Sequence, residues 1–470
     1  MPSASILLKC IAALALASAG VAQAAKPTPF VIADSQVYSL VVNTTLRTPT
    51  TNMIAAQGAT FMTVHFASFN LAAGDKVVVR DVEGFTKYEY TGLGRANLGN
   101  SASGFYSSTI PGDQVIVEFQ PSPESVTGAY GFNIDKITRS SDTGSASTVC
   151  GTDDSRAAKC YVNDMRLSSA YSKARAVARL YITQPGKEKD QSTPCSGWLV
   201  GSQGHLLTNA HCISTAEQAA QTDFELDAES SSCEEECQLR LGCRGTIVAT
   251  SAQLVAFDKK VDYALVKLDT TADLSGYGYL TMRVSGPVQN EQIYIPQHPE
   301  GWAKRIAAVD DDGNVTVVNK VGQPLGCGTF HVGYTADTRG GSSGSPVLAA
   351  SDNNVIALHA CGGLKEVCMN SGIDIRTVIW DLKNKGITLP DDALTDPTAT
   401  IPPGIWIPDF SMTSAPTAAP APASSAKICQ VFRQASTCAI SGATCAWVNG
   451  ACIPNPTTAT PTPSPDASHE

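Results

Sequence analysis

The chain has 470 residues, 43% of them hydrophobic, with 33 basic against 43 acidic side chains for a net charge of −10. Two or three packed domains are the expectation for that length. The acidic balance without a basic tract argues against a nucleic-acid partner, and beyond the first two dozen residues no run approaches the ~20 apolar residues of a membrane span.

Residues 1–24 read as a secretory signal. Lys9 supplies the positive start, Ile11 to Val21 the apolar stretch, and Ala22-Gln23-Ala24 a small-residue cleavage site. A secreted, extracellular, monomeric protein is the expectation. Of 15 cysteines, Cys10 leaves with the signal, ten lie from Cys150 to Cys368, and four lie in the tail. Even counts in an exported chain suggest disulfides. Cys233, Cys237 and Cys243 have a spacing that could hold a metal, but in an oxidising compartment sulfurs pair. No metal or organic cofactor is expected.

Residues 26–138 look all-β. Short runs around Thr60–Phe66, Lys76–Arg80, Gln114–Phe119 and Tyr130–Ile134 alternate with turn signals at Gly74-Asp75, Gly92 and Pro111-Gly112-Asp113, the pattern of a β-sandwich. Residues 139–149 are small and polar and read as a linker. Lys136 and Arg139 flank its start, where proteolytic separation is plausible. Residues 150–390 hold short strands and Gly-rich turns, closed by a helix from Thr377 to Lys385 with Val378, Ile379 and Leu382 on one face and Gly386 as its stop. Within this unit, Asp310-Asp311-Asp312-Gly313-Asn314 lacks the spaced ligands of a calcium loop and reads as a hairpin turn. Residues 391–426 are a Pro/Ala/Thr/Ser linker. Residues 427–453 carry Cys429, Cys438, Cys445 and Cys452, enough for two disulfides in a segment too small to fold unstapled. Trp447 there is either the core of that module or a flat face for a sugar or another extracellular ligand. Residues 454–470 are a disordered tail. Asn43 and Asn314 open glycosylation sequons.

Three short stretches carry the chemistry. Asp337-Thr338-Arg339-Gly340-Gly341-Ser342-Ser343-Gly344-Ser345-Pro346 sets a serine among small residues, where a tight turn can expose a nucleophile and aim backbone N–H groups at one point. Thr208-Asn209-Ala210-His211-Cys212 follows the apolar run Gly204 to Leu207, so His211 falls just past a strand end, where a general base can be held rigidly. Asp262 opens the apolar run Tyr263 to Leu268, and a buried acid beside an imidazole fixes its tautomer. The order His, Asp, Ser, with gaps of 51 and 81 residues, matches a known triad order.

On these residues the chain resembles the chymotrypsin-like serine peptidases, within the bacterial-type branch that includes lysyl and glutamyl endopeptidases. Cys195-Ser196-Gly197-Trp198, Gln297-His298-Pro299 with Lys304-Arg305-Ile306, and Val355 to Gly363 extend the resemblance over roughly residues 150–390. It implies a mostly β, two-barrel catalytic domain with a C-terminal helix, acting on protein or peptide substrates. It implies Ser343 as nucleophile, His211 as base, Asp262 as the orienting acid, and the N–H groups of Gly341 and Ser343 as the oxyanion hole. It further implies disulfides Cys195–Cys212 and Cys150–Cys368, with Cys160 reaching Cys233, Cys237 or Cys243. Asp337, His359 and Gly362 fall at specificity-pocket positions. Asp337 favours basic residues at the cleaved position, and His359 leaves a glutamyl specificity open. A non-catalytic binding protein on the same fold is the alternative. Residues 73–81 and 130–134 are similar to a CUB module.

Overall fold

A computed structural model describes residues 30–123, 130–140, 147–149, 151–184, 189–325, 328–362, 368–399, 445–448 and 451–454. The signal segment and most of the tail lie outside them. Among the described residues no helix is long and apolar enough to cross a membrane.

Two antiparallel sheets face each other at the N-terminal end. One orders Ala33–Asn43, Gly131–Ser140, Phe61–Asn70 and Phe105–Tyr106; the other orders Thr50–Ala55, Gln114–Gln120, Lys76–Arg80 and Lys87–Tyr90. Alternation along a strand sets what each face buries. In Gln114–Gln120, Val115, Val117 and Phe119 enter the core, while Gln114 and Glu118 are only half-buried. Phe66, Phe69, Phe105 and Phe132 fill the space between the sheets, with ring centroids 4.9 Å to 6.0 Å apart, distances at which offset and edge-on aromatic pairs attract.

The last strand of this sandwich runs to Ser140, two residues past the expected boundary. Lys136 and Arg139 lie inside it. They pair with Val37 and Asp34 on one side and with His65 and Met62 on the other. A backbone zipped on both edges is a poor protease target, so the expected separation point is protected.

Two groups of strands build the region that follows. The first runs Thr246–Ala249, Asp223–Leu226, Val177–Gln184, Gln191–Val200, His205–Thr208, Tyr263–Leu268 and Ala252–Asp258. The second runs Arg156–Ala157, Arg305–Ala307, Ile293–Gln297, Pro346–Ala349, Val355–Cys361, Asn370–Asp374, Gly328–Tyr334 and Val318–Leu325. A mostly β, two-barrel architecture closed by a C-terminal helix is therefore what the chain forms. The helix spans Ile375–Asn384 and begins two residues early, because Asp374 caps it by accepting the Arg376 N–H at 3.0 Å. Val378, Ile379 and Leu382 are buried as the spacing requires. Gly386, at φ 69°, ends it as expected. Residues 391–395 pack on the barrel rather than opening a linker: Met282 N–H donates to Ala393 O at 2.8 Å and Thr395 N–H to Met282 O at 3.0 Å.

The sandwich and the first barrel share one continuous sheet through Ala33↔Ser192 and Asp34↔Gln191. Arg95 of the sandwich meets Asp223 of the barrel at 2.8 Å, both side chains nearly inaccessible. Tyr106 hydroxyl donates to Asp190, and Phe61 packs edge-on against Tyr181 at 5.7 Å.

Disulfides join Cys195 to Cys212, Cys160 to Cys233 and Cys237 to Cys243. The first is the implied bridge, and the second selects one of the three partners left open for Cys160. Cys361 and Cys368 each take part in a disulfide as well. Cys150 lies outside the described residues, so the pairing Cys150–Cys368 does too. At the C-terminal end, from residue 406 on, the described part is a hairpin of Cys445–Val448 with Ala451–Pro454, which sets Trp447 opposite Cys452. Cys429 and Cys438 fall outside it.

Candidate active site

His211 follows the strand His205–Thr208, and Asp262 immediately precedes its partner strand Tyr263–Leu268. The pairing of these strands brings the two side chains together. Asp262 Oδ1 accepts the His211 backbone N–H at 2.8 Å, and its Oδ2 lies 2.7 Å from His211 Nδ1. Asn209 Nδ2 donates to Asp262 O at 2.9 Å and locks the acid's own backbone. Asp262 sits at φ 66°, a left-handed conformation that Asp tolerates better than most residues. Both side chains keep a little exposure, 11% for His211 and 16% for Asp262, so solvent and substrate can reach them. With the Nδ1 proton donated to the carboxylate, Nε2 is left as the basic atom.

Ser343 comes from the second barrel, just before the strand Pro346–Ala349. Its carbonyl accepts the Ser196 N–H at 2.8 Å and lies 4.0 Å from Cys212 Sγ. The serine loop is thus docked beside the residue that follows His211. Of the three neighbouring serines, Ser342 and Ser345 are fully buried and Ser343 is not. Access therefore distinguishes the three hydroxyls. Ser342 Oγ is used inside the turn, accepting the Arg339 N–H at 3.2 Å.

Gly341 takes φ 95°, and a Cβ there would lie 2.8 Å from His298 O and 3.0 Å from Glu300 N. Only glycine fits. A side chain at Gly344 would likewise run into Ser196 O. Among the described residues, the N–H groups of Gly341 and Ser343 donate to no protein acceptor. Ser196 ties the loop down from the first barrel: its Oγ donates to Gly341 O at 3.0 Å and accepts the His298 N–H at 2.9 Å. Ser196 was legible only as part of the Cys195-Ser196-Gly197-Trp198 run, with no role attached.

The pocket candidates are less uniform. Asp337 is buried, with Oδ2 accepting the Asp154 N–H at 2.8 Å and its carbonyl accepting Gln297 Nε2 at 2.8 Å. Gly362 is exposed. His359 is buried, and its Nδ1 lies 2.7 Å from the Tyr334 hydroxyl. Burial pushes the His359 imidazole down to about 3, with His211 and then His331 adding to the effect. Burial also holds the Tyr334 hydroxyl protonated, so Tyr334 donates and His359 accepts. His331, which carried no expectation, is buried 3.0 Å from Ser371 Oγ and pushed by burial down to about 4. The two imidazoles are neutral polar groups beneath the site.

Two groups of ligand-type atoms cluster within 4.8 Å among the described residues: Cys195, His211 and Cys212, and Glu235, Cys237 and Cys243. In each, both cysteines are disulfide-bonded. No thiolate is available to ligate, and these residues do not fit a metal centre.

Asn43, which opens a sequon, is exposed, as is Asn314 at the tip of the Asp310–Asn314 turn. Asp310 Oδ1 there accepts the Asp312 and Asn314 N–H groups at 3.1 Å and 2.9 Å, the geometry of a hairpin turn.

A family model described as a trypsin-like peptidase domain matches residues 195–358. The secreted RxLR effector protein 73 of Plasmopara viticola is 42% identical over 348 residues, covering 72% of this chain and 82% of that protein. An extracellular metalloprotease of Bacillus subtilis (strain 168) is 24% identical over 281 residues, covering 57% of this chain and 79% of its own length. Among solved structures, an HtrA-type protease, AlgW with tripeptide, aligns at 21% identity with a TM-score of 0.34, covering 48% of this chain and 65% of that one, just under two thirds of its length.

Proposed function

The chain belongs to the family of the secreted RxLR effector protein 73 and carries a trypsin-like peptidase domain, and on that footing we propose that it is a secreted serine endopeptidase. The observation that carries this reading is the double hold of Asp262 on His211, beside the accessible serine of the Gly340–Pro346 loop. Ser343 Oγ attacks the scissile carbonyl carbon while His211 Nε2 takes its proton. The N–H groups of Gly341 and Ser343 receive the oxyanion. The C–N bond breaks as His211 returns the proton to the leaving amine, and water then hydrolyses the acyl-enzyme by the same relay. Export agrees with the disulfides, and Asn43 and Asn314 would then be the glycan acceptors.

For specificity, the buried carboxylate of Asp337 favours a basic residue at the cleaved position. His359 supports a second reading, in which an acidic residue is preferred: with Nδ1 accepting from the Tyr334 hydroxyl, its Nε2 carries the proton and can donate to a carboxylate. A ligand for the cysteine-rich tail remains part of the proposal, with a polysaccharide as the class to try. Cleavage profiling of a peptide library by the wild-type chain and by Ser343→Ala tests the whole. Cuts clustered after Lys or Arg, absent with Ser343→Ala, are expected. Cuts after Glu would transfer the specificity to His359. No cuts by folded wild-type protein would leave a binding protein on a peptidase fold.

A further inference from the structure

Gly340 directly precedes the proposed oxyanion glycine, and an aromatic ring from the far end of the chain rests on it. A Cβ added at Gly340 would lie 2.5 Å from Phe30 Cγ and 2.8 Å from Phe30 Cβ, so ring and backbone are in contact. Phe30 stands just ahead of the strand Ala33–Asn43 and packs into the small core of Ile32, Ala33, Phe61, Tyr181 and Leu241, which joins sandwich to barrel. The Arg240 guanidinium lies 5.3 Å from its ring centroid, a cation–π distance.

The same cluster continues through charge. Arg240 reaches Glu300 Oε2 at 3.5 Å, and Arg339 reaches Glu300 Oε1 at 3.4 Å. The Glu300 N–H donates to the Gly340 carbonyl. Arg339 Nε donates to Asp153 Oδ2 at 2.8 Å, and Ser147–Thr148 pairs with Thr338–Arg339 as a short antiparallel ladder. The stretch before the nucleophile is therefore held by chain upstream of it and by the Glu300 loop. None of these contacts requires a freshly cut chain end.

We propose that Phe30 is a positioning residue for the oxyanion loop, and that the competent enzyme is the chain with its N-terminal sandwich in place. This rests on the serine-peptidase reading above. An oxyanion hole works because its N–H groups are already aimed before charge develops. A ring wedged on Gly340 restricts the peptide plane that leads into the Gly341 N–H. Removing a donor outright costs about 10²–10³ in kcat, and loosening its support costs a smaller part of that.

The test uses the full-length secreted chain in four forms: wild type, Phe30→Ala, Gly340→Ala and the double variant. Peptide hydrolysis is measured as kcat and KM separately, with the melting midpoint as a folding control. Phe30→Ala is expected to lower kcat by about tenfold to a hundredfold, with KM changed less than about threefold. Gly340→Ala should do the same by driving a methyl into the ring. The double variant should recover at least about tenfold over the worse single, because the new methyl occupies space the ring vacates. Should Phe30→Ala fail to fold, Phe30→Leu reads the same split. A folded Phe30 variant with wild-type kcat overturns the proposal, as does a double variant no better than the worse single. If wild-type protein neither cleaves peptides nor reacts with a fluorophosphonate, the peptidase reading itself falls and this inference falls with it.

Discussion

One carboxylate holds one imidazole residue at two points: Asp262 Oδ1 takes the His211 backbone N–H at 2.8 Å while Oδ2 faces Nδ1 at 2.7 Å. The backbone contact fixes where the residue sits. The ring contact fixes which nitrogen carries the proton. Asp262→Asn keeps the shape but can present an N–H to Nδ1, which favours the wrong tautomer. We expect kcat to fall by about 10⁴ with KM little changed. Steady-state kinetics on a peptide substrate decides it, and a loss below tenfold would remove Asp262 from the relay.

The serines should separate by access. Ser343→Ala should abolish turnover. Ser342→Ala removes only an acceptor for the Arg339 N–H and should cost less than about tenfold, since one ordinary hydrogen bond is worth about 0.5–1.5 kcal/mol. Serine at 342 cannot form the ion pair that trypsin-like zymogens use. A zymogen-like collapse of activity in Ser342→Ala, measured beside Ser345→Ala as a second buried control, would contradict that expectation.

Stability should fall on acidification because of His331 and His359. Their folded values lie near 4 and 3, below the usual value of about 6.5 for the unfolded chain. Between those limits the unfolded state binds more protons, so stability rises with pH, and it is lost as pH drops from about 6.5 toward 4. Each neutral histidine adds a slope of about 1.4 kcal/mol per pH unit in that window. Urea midpoints at pH 7 and pH 5 should therefore differ less in His331→Gln/His359→Gln than in wild type. Equal differences would show that neither histidine is held neutral.

The sandwich should melt with the barrel it rests on. Arg95 and Asp223 meet at 2.8 Å with almost no exposure, and burial pushes the Asp223 carboxyl up while Arg95 pulls it down. Removing one partner strands a charge. Asp223→Ala should cost about 3–5 kcal/mol, whereas replacing both, Arg95→Met with Asp223→Leu, should cost much less. Calorimetry is expected to give one transition for both parts. Two well-separated transitions, or an Asp223→Ala midpoint equal to wild type, would mean that the interface is not load-sharing.

Much of the fold, and the pairing of His211 with Asp262, was legible because those signals are local. His211 follows a four-residue apolar run that becomes the strand His205–Thr208, and Asp262 opens the partner strand. Ser343 is marked by the glycines its turn requires. Other features depend on partners distant in sequence. Nothing near Phe30 announces that its ring will press on Gly340, and nothing near Lys136 shows that two neighbouring strands will enclose it. His359 stood in the sequence as a pocket candidate, but its neutrality comes from burial, with His211 and then His331 adding to it, which only packing reveals. The helix start moved because Asp374, a capping residue type, sits four positions before Val378, the first apolar residue that the spacing marks.

The most direct measurement is a fluorophosphonate reaction with purified full-length protein, followed by peptide mapping of the adduct. The account predicts one adduct per chain, on Ser343, absent from Ser343→Ala and strongly slowed in variants at His211. An adduct on Ser342 or Ser345, or no reaction from folded protein that carries its disulfides, would contradict it.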